Sequence, residues 1–286
     1  MAKHQWMIYG ANGYTGHLLA EQASRQGLKP LLAGRNPGAV HALGSRLGLE
    51  CRIFELDHRE HAAEALADVA VLVHCAGPFS VTSAPMIEAC RASGTHYVDI
   101  TGEIGVFEQA QARHAAAQAA GIVVCPGVGF DVMPTDCIAA SLLEALPDAS
   151  QLTLGFDSGS GLSPGTAKTS IEGLAFGGKV RRAGLITDVP LGYRRRRIDF
   201  GRGEKSAVTI PWGDVATAYY STGIPNIEVY LPAPPALAVA MRLLEPLRPL
   251  FALPIVQAWL KRLAARRIQG PDEATRARQR SWLWGE

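Results

Sequence analysis

Three glycines at fixed spacing carry the clearest chemical signal, in the run Gly10-Ala11-Asn12-Gly13-Tyr14-Thr15-Gly16. They follow a short apolar run, Gln5–Tyr9, and open an amphipathic one, Tyr14–Gln26. In a strand–turn–helix frame one glycine permits the tight turn. A second lets backbone approach a diphosphate, and the third lets the helix pack close to the sheet. Unpaired N–H groups at the start of the helix then face the phosphates. The spacing predicts a dinucleotide phosphate loop made by Gly10, Asn12, Gly13, Tyr14, Thr15 and Gly16. A Gly-rich turn with no ligand is the plain alternative.

Cofactor choice is read at the end of the second strand, Ala33-Gly34-Arg35-Asn36, where no acid stands to accept from ribose hydroxyls. Arg35 can offer paired donors to a 2′-phosphate, so NADP is expected ahead of NAD, with Arg35 and Asn36 at the adenosine ribose. A solvated arginine is the bland reading. Asp57 ends the third strand and fits two roles equally, a contact to the adenine amine or the N-cap of the next helix. Cys75, Ala76, Gly77, Pro78 and Phe79 end the fourth strand. Their small members would let backbone pass beside the nicotinamide ribose.

A reaction at the nicotinamide needs a carbonyl, imine or activated alkene and a proton donor. Tyr97, Asp99, Thr101 and Glu103 come from the fifth strand and the turn after it, and Asp131 sits in a Gly-Phe-Asp turn. Asp214, Tyr219, Tyr220, Ser221 and Thr222 come from the second half. Tyr97, Asp99 and Asp131 are the catalytic candidates, with Tyr97 or Asp131 first for the proton relay. Each has a structural alternative: Asp99 as a brace or cap, Glu103 as a first-turn acid, Asp131 as an Asx-turn residue or N-cap. No residues have the spacing of a Ser–His–Asp system or a metal site.

The elements that must position these groups alternate regularly as far as residue 125. Strands are expected at Gln5–Tyr9, Lys29–Ala33, Cys51–Leu56, Val69–Cys75, His96–Ile100 and Ile122–Cys125. Helices are expected at Tyr14–Gln26, Pro37–Leu47, Arg59–Leu66, Ser83–Ser93 and Val106–Ala120. This alternation predicts an α/β fold with a doubly wound parallel Rossmann sheet over residues 1–126. Residues 127–286 read as a mainly antiparallel α+β domain for substrate or dimerisation. It has a helix at Thr135–Ala145 and β-like runs at Gln151–Phe156, Ser206–Pro211 and Ile227–Leu231. Pro164–Thr169 lacks phosphate-loop spacing and reads as a turn into a Ser170–Phe176 helix. Residues 233–268 are apolar and helical, and Arg280–Glu286 alternates like a strand entering a sheet.

Together these segments resemble the saccharopine dehydrogenase-like oxidoreductases, including the trans-acting enoyl reductases. The resemblance rests on GANGYTG (10–16), AGRN (33–36), CAGPF (75–79), CRASGTHYVDITGE (90–103), PGVGFDVMPTD (126–136) and PWGDVATAYYSTGIPNIEVY (211–230). It implies an NADP-binding Rossmann domain and a second domain whose pattern continues past Glu286, so that domain is expected to be incomplete. It also implies hydride transfer with a small or lipid-like carbonyl, imine or enoyl substrate. The alternative is a non-catalytic NADP-binding module that senses redox state or assists a partner enzyme.

Composition narrows the setting. The 286 residues carry a net charge of +2 and are 48% hydrophobic, which fits a globular chain with a real core and no nucleic-acid partner. The charge is uneven: −7 over residues 1–178 and +9 over residues 179–286. Cys51, Cys75, Cys90, Cys125 and Cys137 show no CxxC spacing and read as reduced, mostly buried thiols of a cytoplasmic protein. No leader is legible, and no stretch of about 18 apolar residues is present. Residues 255–268 form an amphipathic helix with Val256, Trp259, Leu260 and Leu263 on one face. Packing on its own domain is the ordinary reading, and peripheral contact with an anionic membrane is the sharper one. Arg194–Arg197 reads as a solvated loop or an anion contact, and a homodimer stays open.

Overall fold

The computed structural model describes residues 3–159, 163–268 and 270–286. They form two compact units, divided in the chain between Phe130 and Asp131. The division falls later than the expected 126/127 boundary because the intervening turn still bonds to the first sheet. Gly127 N donates to Asp99 Oδ1 at 2.9 Å and Val128 N to Asp99 O at 2.8 Å.

The first unit holds six strands: β1 (Gln5–Tyr9), β2 (Leu31–Gly34), β3 (Cys51–Ile53), β4 (Val69–His74), β5 (His96–Asp99) and β6 (Val124–Cys125). Between them lie α1 (Tyr14–Arg25), α2 (Pro37–Leu47), α3 (Arg59–Ala65), α4 (Phe79–Ser93), α5 (Ile104–Gln111) and α6 (His114–Ala119). All strand pairs are parallel, in the order β3-β2-β1-β4-β5-β6. Pleat alternation in β1 sends Met7 and Tyr9 to a cluster with Leu72, Met86 and Tyr97, and Ile8 to one with Leu32, Val40 and Leu43. Both faces are covered, so the central strands β1, β2 and β4 are largely apolar. Each such side chain contributes roughly 1.5–3 kcal/mol on burial. Strand order reverses between β1 and β4, which makes their carboxyl ends the switch point where a ligand fits.

Two helix expectations change. The single helix expected at Val106–Ala120 is two helices, because Arg113 Nη1 donates to Gln109 O at 2.8 Å. That carbonyl would otherwise accept from Arg113 N, which instead bonds to Ala110 O. The helix expected from Ser83 begins four residues earlier at Phe79. Its start is held by Glu103, remote in sequence.

The second unit runs α7 (Met133–Ala145), β7 (Gln151–Ser158), α8 (Pro164–Gly173), β8 (Gly178–Arg182), β9 (Leu185–Val189), β10 (Arg195–Asp199) and β11 (Glu204–Ile210). It continues with α9 (Asp214–Thr222), β12 (Asn226–Pro232), α10 (Pro235–Leu244), α11 (Arg248–Phe251), α12 (Pro254–Arg267), α13 (Glu273–Arg278) and β13 (Ser281–Gly285). The sheet order is β10-β11-β12-β7-β13, with β8 bonded to both β12 and β9. Only β7–β12 is parallel among these pairs. The strand expected at the chain's end is β13, and Thr153 and Glu286 exchange backbone hydrogen bonds at 2.8 and 2.9 Å.

Three further readings are corrected here. Pro164 begins a helix rather than a turn, because the Ser163 hydroxyl accepts from Thr166 N at 3.1 Å and caps it. Arg194–Arg197 is not a free anion-binding loop. Residues 195–197 lie in edge strand β10, and Arg194, Arg196 and Arg197 pair with Glu228, Glu286 and Glu204 at 2.8–2.9 Å. Trp259 leaves the face it was expected to share: it is 62% exposed, while Val256, Leu260 and Leu263 are half-buried.

Candidate functional site

The glycine loop joins β1 to α1 at the switch point. Gly10 has φ +80, and a Cβ there would lie 2.8 Å from Ala76 N. A Cβ on Gly16 would lie 2.3 Å from Gly10 O and 2.9 Å from Ala11 Cα. Both positions therefore exclude a side chain by contact with backbone, which cannot move aside. Gly10 N and Ala11 N donate to Ala33 O, and Gly13 N donates to Gly10 O at 2.9 Å. Gly13 is the N-cap of α1, no side chain caps the helix, and its first turn has no acid. Its leading N–H groups and dipole are thus left for an anion, which is the fit a dinucleotide diphosphate needs. Asn12 and Thr15 are exposed, and Tyr14 is half-buried.

Arg35 is exposed just beyond β2. Its charge acts on the Tyr9 hydroxyl, which burial pushes up to about 12 and which Glu55 and Asp57 push the same way. Arg35 and Asp57 therefore both lie near the Tyr9 hydroxyl, although β3 ends at Ile53 and Asp57 stands in the loop after it rather than at its end. The cap reading of Asp57 fails, because the N-cap of α3 is His58 and no side chain bonds there. Asn36 commits its side-chain oxygen to Ala39 N at 3.1 Å, capping α2.

The turn after β4 is held from below. His74 is fully buried and its Nε2 lies 3.0 Å from Thr82 Oγ1. The single Thr82 proton is directed to Ala76 O at 2.7 Å and Pro78 O at 3.0 Å, so His74 Nε2 is the donor in that contact. Burial lowers the His74 pKa to about 3, keeping the ring neutral. Burial also pushes the Cys75 thiol up to about 12, with the Asp99 charge adding to the rise. Cys75, Ala76 and Pro78 are half-buried and Gly77 is exposed. Phe79 departs from the expected ligand-facing set. Its ring meets His74 edge-on at 5.3 Å, inside the core. Its N–H and that of Ser80 donate to Glu103 Oε1 and Oε2 at 2.9 and 2.7 Å. Glu103 is therefore the acid at the start of α4, a role its sequence position conceals.

Tyr97 and Asp99 are both fully buried. Asp99 Oδ2 accepts from the Tyr97 hydroxyl at 2.6 Å, and Oδ1 accepts from Thr101 N and Gly127 N, each at 2.9 Å. Burial raises the Asp99 pKa, against these three donors that lower it. Burial and the Asp99 charge hold Tyr97 well above the usual phenol range. The pair expected to be catalytic is thus committed to bracing the turn beyond β5.

The second unit contains a differently treated set of acids. Asp214 is fully buried, and neither of its carboxyl oxygens has a hydrogen-bond partner among the described residues. Burial raises its pKa to about 7, eased by the nearby Thr135 hydroxyl, whose own hydrogen bond goes to Val132 O at 2.9 Å, and increased by the Asp136 charge. Asp131 Oδ1 is also sealed from solvent without a partner. Burial, then the charge of Asp214, lifts Asp131 well above the carboxylate range. On α9 the residues Asp214, Thr217 and Ser221 fall at i, i+3 and i+7, one face of the helix. Ser221 donates to Asp136 Oδ2 of α7 at 2.7 Å, which fixes that face toward α7. Thr217 Oγ1 and Asp136 Oδ1 are two more buried atoms without partners. This stripe at i, i+3 and i+7 was the available signal for Thr217, which sequence reasoning passed over; Asp136 of α7 is brought to it only by packing.

The other second-half candidates have structural duties. Tyr219 lies under the buried Arg181 guanidinium, 4.2 Å from ring centroid to Cζ. Thr222 donates to Ala218 O, and Tyr220 is exposed. Among the described residues no group of His, Cys, Asp or Glu is placed to hold a metal ion, and no helix is long and apolar enough to cross a membrane. Cys125 and Cys137 are exposed rather than buried.

Comparison with known proteins places this geometry among relatives. Residues 6–125, inside the first unit, match the family model described as the saccharopine dehydrogenase NADP binding domain. A saccharopine dehydrogenase-like oxidoreductase of Pongo abelii is 28% identical over 218 residues, 65% of this chain and 50% of that protein. A trans-acting enoyl reductase of Mycobacterium leprae is 30% identical over 138 residues, 46% of this chain and 33% of that protein. The chain spans a third to a half of the length of these curated relatives. The apo saccharopine dehydrogenase (L-Glu forming) of Saccharomyces cerevisiae has a similar fold. Its TM-score is 0.61 at 12% identity, covering 84% of this chain and 57% of that one.

Proposed function

Because residues 6–125 match the model of the saccharopine dehydrogenase NADP binding domain, we propose that this chain is an oxidoreductase. It would transfer hydride between NADP(H) and a small or lipid-like carbonyl, imine or enoyl substrate. The observation that carries the reading is the loop at α1, where Gly10 and Gly16 have no room for a Cβ and the helix start has neither cap nor acid. Gly10 to Gly16 would hold the diphosphate on backbone N–H groups. Arg35 would hold the 2′-phosphate through its fork of donors. The Cys75–Pro78 turn would carry the nicotinamide ribose, kept in place by His74, Thr82 and Glu103. Tyr97 and Asp99 are positioning residues in this reading.

The bound cofactor supplies or accepts a hydride. The proton is the part that falls to the chain. Asp131, protonated by burial and by its neighbour Asp214, gives that proton to the carbonyl oxygen, the imine nitrogen or the enoyl α-carbon. The carboxylate left behind recovers a proton from solvent. Hydride and proton together reduce one double bond.

Calorimetry with NADPH and NADH tests the first half of the proposal. NADPH binds more tightly, and Arg35→Ser reduces that preference by about 10- to 100-fold, the loss of a charged hydrogen-bond pair. NADPH oxidation against carbonyl, imine and enoyl substrates tests the second. Tight binding without turnover across that panel would favour the non-catalytic module.

A further inference from the structure

The second unit carries an apolar band that its own core leaves unused. Half of the 18 exposed large hydrophobic residues among those described lie between Leu237 and Trp259. Leu243 is 71% exposed, Ile255 78% and Trp259 62%. Scattered exposed leucines are ordinary, but a contiguous set on consecutive helices marks an interaction surface. On α10 only Ala238 is buried, so the remaining apolar residues of the helix flank that contact.

Helix α12 shows which way the band faces. Gln257 Nε2 donates to Ile171 O at 3.0 Å, and Lys261 Nζ pairs with Glu172 Oε1 at 2.6 Å. Those contacts fasten one side of α12 to α8. The opposite side presents Ile255, Trp259, Arg262 and Arg266 at i, i+4, i+7 and i+11, a single stripe. It is apolar at the helix start and basic at its end. Residues 233–268 contain six Lys or Arg and one acid, Glu245. Glu245 already pairs with Arg248 at 3.0 Å and accepts from Leu191 N at 3.1 Å.

We propose that this face is a docking surface for a lipid bilayer carrying anionic headgroups. Ile255, Trp259 and Leu243 would enter the boundary between headgroups and acyl chains, and Arg262 and Arg266 would meet the headgroup charge. Charge complementarity selects this occupant over a second copy of the chain. A two-fold contact would set these arginines against their own kind with the one local acid already paired.

The test uses the full chain and vesicles of phosphatidylcholine alone or mixed with phosphatidylglycerol. Co-sedimentation at low salt is expected with the mixed vesicles, weakening as salt is raised. Ile255→Ser with Trp259→Ser abolishes it. Arg262→Gln with Arg266→Gln lowers it about 25-fold, on the basis of roughly fivefold per cation. NADPH affinity, read by calorimetry, stays at the wild-type value in both variants and reports that they are folded. It also separates failure here from failure of the hydride reading. No pelleting with mixed vesicles at low salt, or equal pelleting with both kinds, overturns the proposal. So does a dimer in sedimentation equilibrium that the Ile255→Ser, Trp259→Ser pair dissolves, since the face would then belong to a second copy.

Discussion

Asp99 in the first unit and Asp214 in the second are both fully buried carboxyl groups, and the fold treats them oppositely. Asp99 receives three donors, from Tyr97, Thr101 and Gly127, while neither Asp214 oxygen has a hydrogen-bond partner among the described residues. A buried charge that is fully hydrogen-bonded locks backbone in place. A buried acid without donors costs stability and holds its proton instead. The contrast supports the proposed division, with Asp99 in the framework and Asp131 as the proton donor beside Asp214.

The hardest test of the contrast is activity. Asp131→Asn lowers kcat by about 10²–10⁴-fold, the range for removing a general acid, with NADPH affinity unchanged. Unchanged kcat would dissolve the distinction. With wild type, kcat for reduction falls as pH rises through the titration of the Asp131–Asp214 pair, the proton donor being lost. Asp214→Asn shifts that limb rather than removing it, which separates a neighbour's influence from the donor's own role.

Asp99→Ala gives the converse result. Three donors lose their acceptor, and urea unfolding should show a loss of roughly 3 kcal/mol, at about 1 kcal/mol or more for each. If Asp99→Ala were as stable as wild type, the framework role would fail.

Acid and alkali act on the two units in opposite directions. His74 has a folded pKa of about 3 against the ordinary 6.5. Between those values the unfolded chain binds the extra proton, so the His74 contribution falls by about 1.4 kcal/mol for each pH unit of acidification. Asp214 has a folded pKa of about 7 against the ordinary 3.8. Its contribution is present below pH 3.8 and is lost as pH rises through about 7, again at about 1.4 kcal/mol per unit. Unfolding followed across pH 4–8 in Asp214→Asn should lack that loss on the alkaline side. A slope of the same sign in wild type and Asp214→Asn would show that Asp214 has another, unseen partner.

The smallest effect belongs to Glu103. Glu103→Gln keeps the shape but removes the charge facing Phe79 N and Ser80 N, costing about 1 kcal/mol of first-unit stability and a modest loss of NADPH affinity. No change in either would mean that α4 needs no help from Glu103 to start at Phe79.

Much of the first unit was legible because its signals are local. A glycine loop between an apolar run and an amphipathic one depends on neighbours within a few residues, and the loop joins a strand to a helix as its spacing predicts. The second unit was harder. Strands β8 and β9 carry Lys179, Arg181, Arg182 and Asp188, and their pairing comes from the sheet rather than from apolar alternation. Arginines at 195–197 looked like a loop because their carboxylate partners are up to 90 residues away.

The amino-acid sequence by itself determined the parallel strand–helix alternation, the glycine cradle, the absence of an acid after β2 and the closing strand at 281–285. Each follows from periodicity or from the steric freedom of a residue read in its immediate setting. Tertiary structure alone decided which acids are satisfied. A carboxyl group's partners are backbone N–H groups and hydroxyls brought in from distant elements, and its protonation follows from them. Asp99 and Asp214 look alike in the chain, and only packing gives one its three donors and leaves the other with a pKa raised to about 7.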